Sequence, residues 1–86
     1  MTHRVPIERE LDLHTFSPRD VRSVVTEYVH AAHGEGLGEV RLVHGRGRGI
    51  QRRTVHEALA SHPLVEAHWD DPAAHLGATI ARLKQP

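Results

Sequence analysis

The sequence predicts an α/β fold: a two-layer sandwich of order β-α-β-α-β-β, with a mixed four-stranded sheet and two helices on one face. Three observations predict it. Polar and apolar residues alternate near residues 9–14, 39–44 and 65–70, the period of half-buried strands. Between them lie two segments whose apolar residues recur every three or four positions, the period of helices packed on a core. Strand–helix–strand crossovers are right-handed, which places both helices on the same side of the sheet. At 86 residues and 38% hydrophobic, the chain is expected to form one domain around one core, about residues 9–84, preceded by a short N-terminal extension over residues 1–8.

The first strand is expected over residues 7–14, alternating from Arg9 onward, with Leu11 and Leu13 facing one way and Glu10, Asp12 and His14 the other. Ser17-Pro18 then reads as a helix start, with Ser17 as N-cap, Pro18 at the first helical position and Asp20 completing a variant capping box. Val21, Val24, Val25, Tyr28, Val29 and Ala32 form the apolar stripe of that helix, which ends at Gly34. A second strand covers residues 39–44. A second helix spans about residues 51–62, with Val55, Ala58 and Leu59 as its inner face and Pro63 just beyond. In the third strand Val65, Ala67 and Trp69 are expected to face the core, and a fourth strand follows over residues 77–83. Tyr28 and Trp69 are read as core residues with polar tips reaching out, and Phe16 as a staple on the first helix cap.

Composition narrows the function classes. Cysteine is absent, which excludes disulfides, thiolate zinc sites and thiol catalysis. Residues 1–10 hold no apolar run resembling a signal peptide, and no stretch is long enough to span a membrane, so a cytoplasmic monomer is expected. Nine histidines invite a search for metal sites. His56-Glu57 begins a zincin-like pattern that fails at Ala60, and His30 and His33 share a helix face without a matching carboxylate. No metal site is predicted; the one place left for a transient divalent cation is Asp12. Formal net charge is zero, yet Arg41, Arg46, Arg48, Arg52 and Arg53 fall in a segment without a single acid. That distribution points to a local anion site of modest, salt-sensitive affinity.

The segment His44-Gly45-Arg46-Gly47-Arg48-Gly49 joins the second strand to the second helix. Alternating glycines permit positive φ and close approach of a ligand to the backbone. The helix that follows contributes unpaired amides at the positive end of its dipole, and a phosphate is the natural occupant. Arg46, Arg48, Arg52 and Arg53 oppose that dipole unless an anion sits there. The spacing is neither that of a P-loop nor Gly-x-Gly-x-x-Gly, so a nucleotide cofactor is disfavoured. Asp12 and His14 lie two apart on a strand, emerging on one face roughly 6.5–7 Å apart. A carboxylate beside an imidazole is an acid–base arrangement, and it is equally what an amphipathic strand displays to solvent. If the first two strands are parallel neighbours, His14 and the glycine turn converge at one sheet edge.

Leu11-Asp12-Leu13-His14 and His44-Gly45-Arg46-Gly47, with the closing Gly77-Ala78-Thr79-Ile80, resemble the signature segments of the Smr (small MutS-related) domain family. The resemblance runs from about Glu10 to Leu83, and its form is similar to the stand-alone bacterial members. It implies a fold akin to the C-terminal domain of a translation initiation factor, and DNA or RNA as partner. Its members include DNA-nicking and RNA endonucleases. It also implies Asp12, His14, His44, Gly45, Arg46 and Gly47 as site residues. Two departures stand out: Thr15 where the family has glycine, and a reduced glycine content in Ala74-His75-Leu76-Gly77. The combined expectation is an endonuclease of low sequence specificity. His14 oriented by Asp12 acts as base or acid, and His44 as complementary proton donor. The Gly45–Gly49 amides hold the phosphate with Arg46, Arg48, Arg52 and Arg53. A binding module without chemistry and a small-molecule phosphate binder remain open, as does the choice of DNA or RNA.

Overall fold

The computed structural model describes residues 7–85; most of the expected N-terminal extension lies outside them. The chain runs β1 (Glu10–Asp12), a one-turn 3₁₀ helix (Pro18–Asp20), α1 (Val21–Gly34), β2 (Glu39–Val43), α2 (Ile50–Ala60), β3 (Val65–Asp70), a second 3₁₀ turn (Pro72–Ala74) and β4 (Ala78–Leu83). The sheet order is β1-β2-β4-β3. β1 pairs with β2 in parallel, while β4 is antiparallel to both of its neighbours. This is the expected mixed sheet with two helices. The core is built from Leu13, the α1 stripe Val21, Val25, Val29 and Ala32, the β2 pair Val40 and Leu42, Val55 and Leu59 of α2, and Leu83. All of these are at most 1% exposed. β4 is central, which explains the weak alternation of its sequence.

Several boundaries differ from the sequence expectation, each for a local reason. β1 stops at Asp12 because the Asp12 carboxylate captures the His14 amide at 3.0 Å, a local bond that competes with the ladder. Ser17 makes no side-chain cap; its carbonyl instead receives the Asp20 amide at 2.8 Å, closing the 3₁₀ turn. Asp20 likewise caps nothing with its side chain, and α1 begins at Val21. α2 ends at Ala60 rather than 62, with His62 turned inward. The His62 ring accepts the Leu64 amide through Nδ1 and donates from Nε2 to the Thr26 carbonyl. Tyr28 is half-buried as expected, its hydroxyl 2.5 Å from the Glu8 carbonyl and its pKa pushed up to about 12, chiefly by burial.

Trp69 corrects the reading of β3. Val65 pairs with Leu83 and Ala67 with Arg82, so two steps along β3 match one along β4 and Glu66 is an extra, bulged residue. A one-residue slip exchanges the faces of everything beyond it. Trp69 therefore lies opposite Ile80 on the helix-free face, with the Arg82 guanidinium 5.3 Å from its ring centre. His68 and Asp70, expected to face solvent, turn to the helix side, opposite Ala81 and Thr79.

Candidate functional site

Asp12 ends the first strand and His14 lies two residues on, in the turn that follows. The Nδ1 atom of His14 lies 2.8 Å from Asp12 Oδ1, closer than regular strand spacing gives, because the chain has already turned at His14. A carboxylate only accepts, so Nδ1 carries the proton and Nε2 is left as the basic nitrogen. The two side chains are 74% and 53% exposed. The His14 amide, and then its ring, hold the Asp12 carboxyl below its ordinary range. Leu13, between them, is fully buried and its amide extends the ladder to the Val43 carbonyl, which anchors the pair.

The glycine turn leaves the adjacent end of β2. The His44 and Gly45 amides both bond the Gly77 carbonyl, at 3.0 and 2.9 Å, tying the turn to the lead-in of β4. Gly45, Gly47 and Gly49 all have positive φ (78°, 36° and 80°), whereas Arg46 and Arg48 between them do not. Such alternation turns successive amides toward one concavity, the arrangement that holds anions. Gly49 is the N-cap of α2 and offers no side-chain cap to its first amides. The turn lines an open pocket of about 350 Å³ together with Pro18, Ile50 and Gln51. Pro18 brings the connection after β1 to the same rim. Parallel β1 and β2 thus place His14 and the turn at one edge of the sheet.

Folding brings acids to three of the five clustered arginines. Arg41 is held by Asp71 and Glu10 at 2.7 and 2.6 Å. Arg52 forms a two-point pair with Asp70 at 2.8 and 2.7 Å. Arg53 meets Glu57 at 3.1 Å on the exposed side of α2. Among the described residues, Arg46 and Arg48 have no carboxylate partner. Of the five, the two without an acid are therefore the two inside the turn itself.

His44 is only 7% exposed, and both ring nitrogens are engaged: Nδ1 lies 3.0 Å from the Gly45 carbonyl and Nε2 2.8 Å from Thr79 Oγ1. That placement is at odds with a proton donor facing a bound phosphodiester. Thr79 Oγ1 is also 3.0 Å from His56 Nε2, which lies 3.3 Å from Asp70. A polar chain thus runs inward from half-buried Arg52, Asp70 and His56 to buried Thr79 and His44 and the turn. Burial pushes the pKa of His44 and of His56 down, while Arg52 holds the Asp70 carboxyl low. Thr79, His56 and Asp70 escaped the sequence reading of the site. Their meeting depends on the β3 bulge, which no alternation pattern reveals. Among the described residues there is no group of three or more His, Asp or Glu able to hold a metal ion, and no helix is long and apolar enough to cross a membrane.

Comparison with known proteins gives a consistent picture. The Smr domain family model matches residues 11–84. A protein named endonuclease MutS2 from Clostridium botulinum is 37% identical over 62 residues, covering 72% of this chain and 8% of the relative. The protein of that name from Brevibacillus brevis is 35% identical over 80 residues, covering 91% of this chain and 10% of its own length. The chain thus spans a tenth or less of these curated relatives. Among solved structures, the Smr domain of Thermus thermophilus MutS2 superposes with a TM-score of 0.82 at 31% identity, covering 87% of this chain and 96% of that domain. YdaL of Escherichia coli, a stand-alone small MutS-related protein, gives 0.82 at 26% identity, covering 93% and 67%.

Proposed function

Because the chain belongs to the Smr domain family, we propose that it is a nucleic-acid-binding endonuclease that cleaves phosphodiester bonds with little regard to sequence. One observation carries the reading: an exposed Asp12–His14 pair at 2.8 Å shares a sheet edge with a glycine turn whose two arginines lack carboxylate partners. The amides of Arg46, Gly47 and Arg48, with the Arg46 and Arg48 side chains, hold a phosphate and stabilise charge on its oxygens, the Gly45 and Gly49 amides being bonded within the fold. His14, fixed by Asp12 in the tautomer with basic Nε2, removes a proton from the attacking oxygen. On RNA that oxygen is the ribose 2′-hydroxyl. Its bond to phosphorus forms as the bond to the 5′-oxygen breaks, and the 5′-oxygen leaves as a hydroxyl after taking a proton from water. On DNA a water must attack instead, and a divalent ion becomes the natural activator. Buried His44 is a positioning residue that fixes the turn, and Arg52 reaches the site through Asp70.

The inward ring of His44 leaves one exposed acid–base pair at the edge, and this favours a second reading, a binding module without chemistry. Incubation of the protein with labelled RNA and DNA, with and without chelator, separates the two. In the endonuclease reading, His14→Ala lowers cleavage by roughly 10²-fold or more while binding and folding persist, because the side chain is exposed. RNA products carry a cyclic phosphate. Absence of cleavage by the unmodified protein, or cleavage untouched by His14→Ala and Asp12→Asn, removes the catalytic reading and leaves the module.

A further inference from the structure

Phe16, Ile50 and Leu76 are the large hydrophobic side chains left exposed among the described residues, at 37%, 64% and 55%. Scattered one by one, such residues need no explanation. These three lie in connections at the same end of the sheet. Phe16 lies in the connection after β1, and Ile50 opens α2 directly after the glycine turn. Leu76 precedes β4, whose first residue pairs with the last of β2. All three therefore belong to the sheet end at which Arg46 and Arg48 stand without acids. Ile50 and Pro18 are also apolar walls of the pocket beside the turn. Leu76 is displayed outward on a left-handed backbone (φ 68°). The next amide is fixed to the Ala74 carbonyl at 2.8 Å, and the Gly77 carbonyl receives two amides of the turn.

We propose that this pocket is a subsite for one unstacked nucleobase, adjoining the phosphate on the glycine turn. The inference rests on the nucleic-acid reading above and adds a substrate requirement to it. Phosphate contacts fix the strand but carry no information about the bases. An aliphatic wall one nucleotide away offers contact to the face of a base, and Ile and Leu are among the side chains that replace a neighbouring base at an opened step. In a regular duplex that face is covered, so the site selects nucleotides that are unpaired or splayed out. A second copy of the chain fits this surface poorly. Charged groups are depleted at the core of protein interfaces, and covering this surface would bury Arg46 and Arg48, which have no carboxylate partner among the described residues.

The test compares binding of a single-stranded oligonucleotide, the same strand with abasic sites, and a blunt duplex. Each is measured with the unmodified protein and with the double variant Ile50→Ser, Leu76→Asn; asparagine tolerates the left-handed backbone. The expected result is a preference of about tenfold or more for the intact single strand over both alternatives. In the variant that preference disappears, while weaker, salt-dependent binding to all three remains. Equal affinity of the unmodified protein for intact and abasic strands overturns the subsite and leaves phosphate binding standing. Failure to bind any of the three overturns the nucleic-acid reading itself. A dimer seen by light scattering and dissolved by the double variant assigns the patch to a second copy and overturns the subsite.

Discussion

Around Thr79 the direction of each hydrogen bond follows from the two ends of the chain. The Asp70 carboxylate and the Gly45 carbonyl can only accept. His56 therefore carries its proton on Nε2 and donates it to Thr79 Oγ1 at 3.0 Å, with Asp70 Oδ1 alongside at 3.3 Å. The Thr79 hydroxyl donates onward to His44 Nε2, and His44 Nδ1 donates to Gly45. Thr79→Val keeps the shape and deletes the relay, leaving His44 Nε2 a buried acceptor without a donor. The expected cost is about 1–3 kcal/mol, read as a drop in Tm of roughly 4–8 °C per kcal/mol. The same burial makes stability pH-dependent. His44 and His56 titrate below their ordinary 6.5 in the folded state, so the unfolded chain takes up protons first as the pH falls. Stability is complete above that value and declines as the pH falls below it. A second loss follows below 3.8, as the depressed carboxyls of Asp70 and Asp71 are protonated in turn. Thermal melts from about pH 8 downward check both steps. Asp12, His14 and the 44–49 turn were legible in the sequence because each is a contiguous motif. Thr79, His56 and Asp70 were not, since nothing local in the chain shows that they meet.

The bulge at Glu66 is the element-scale reason for that blindness. Helix α1 announced itself through four buried positions on one stripe, and α2 through Val55, Ala58 and Leu59. β3 was found at its full length but with its faces exchanged beyond the bulge, because period-two reading assumes an unbroken ladder. The inserted residue has a structural purpose. It lets Val65 and Asp70, five positions apart, both face the helices, where Asp70 receives Arg52, while Trp69 lies on the opposite face beneath Arg82. Deleting Glu66 removes the extra residue and leaves Val65 to Asp70 as an unbroken ladder on the faces they now occupy, so Trp69 stays beneath Arg82 and Asp70 keeps Arg52 and His56. The variant should still unfold cooperatively, with a loss of no more than roughly 1–2 kcal/mol of folding stability, as measured by circular dichroism during denaturation. β1 was overestimated for a different reason: Asp12 bonds its own chain two residues on and ends the strand there.

For the whole molecule, zero net charge conceals a separation that only folding produces. Arg41, Arg52 and Arg53 are matched by Asp71, Glu10, Asp70 and Glu57 from other parts of the chain or helix, which leaves Arg46 and Arg48 as the local field. In the proposed reading, replacing both by alanine weakens binding of all sequences about equally and reduces the slope of log affinity against log salt by about 2. Titrations at several salt concentrations check this. Arg53→Ala, removing an arginine already facing Glu57, should change the slope less. The sheet order carries one more consequence. β1 is an edge strand of three residues, paired only with β2, whereas the turn is bonded into the lead-in of the central strand β4. The two halves of the proposed site thus belong to parts of unequal durability, since short edges open before central strands do. On warming, β1 frays first and takes the Asp12–His14 pair with it while the glycine turn still stands. In the proposed reading, the protein would pass through a temperature range in which it keeps hold of a strand it can no longer cut.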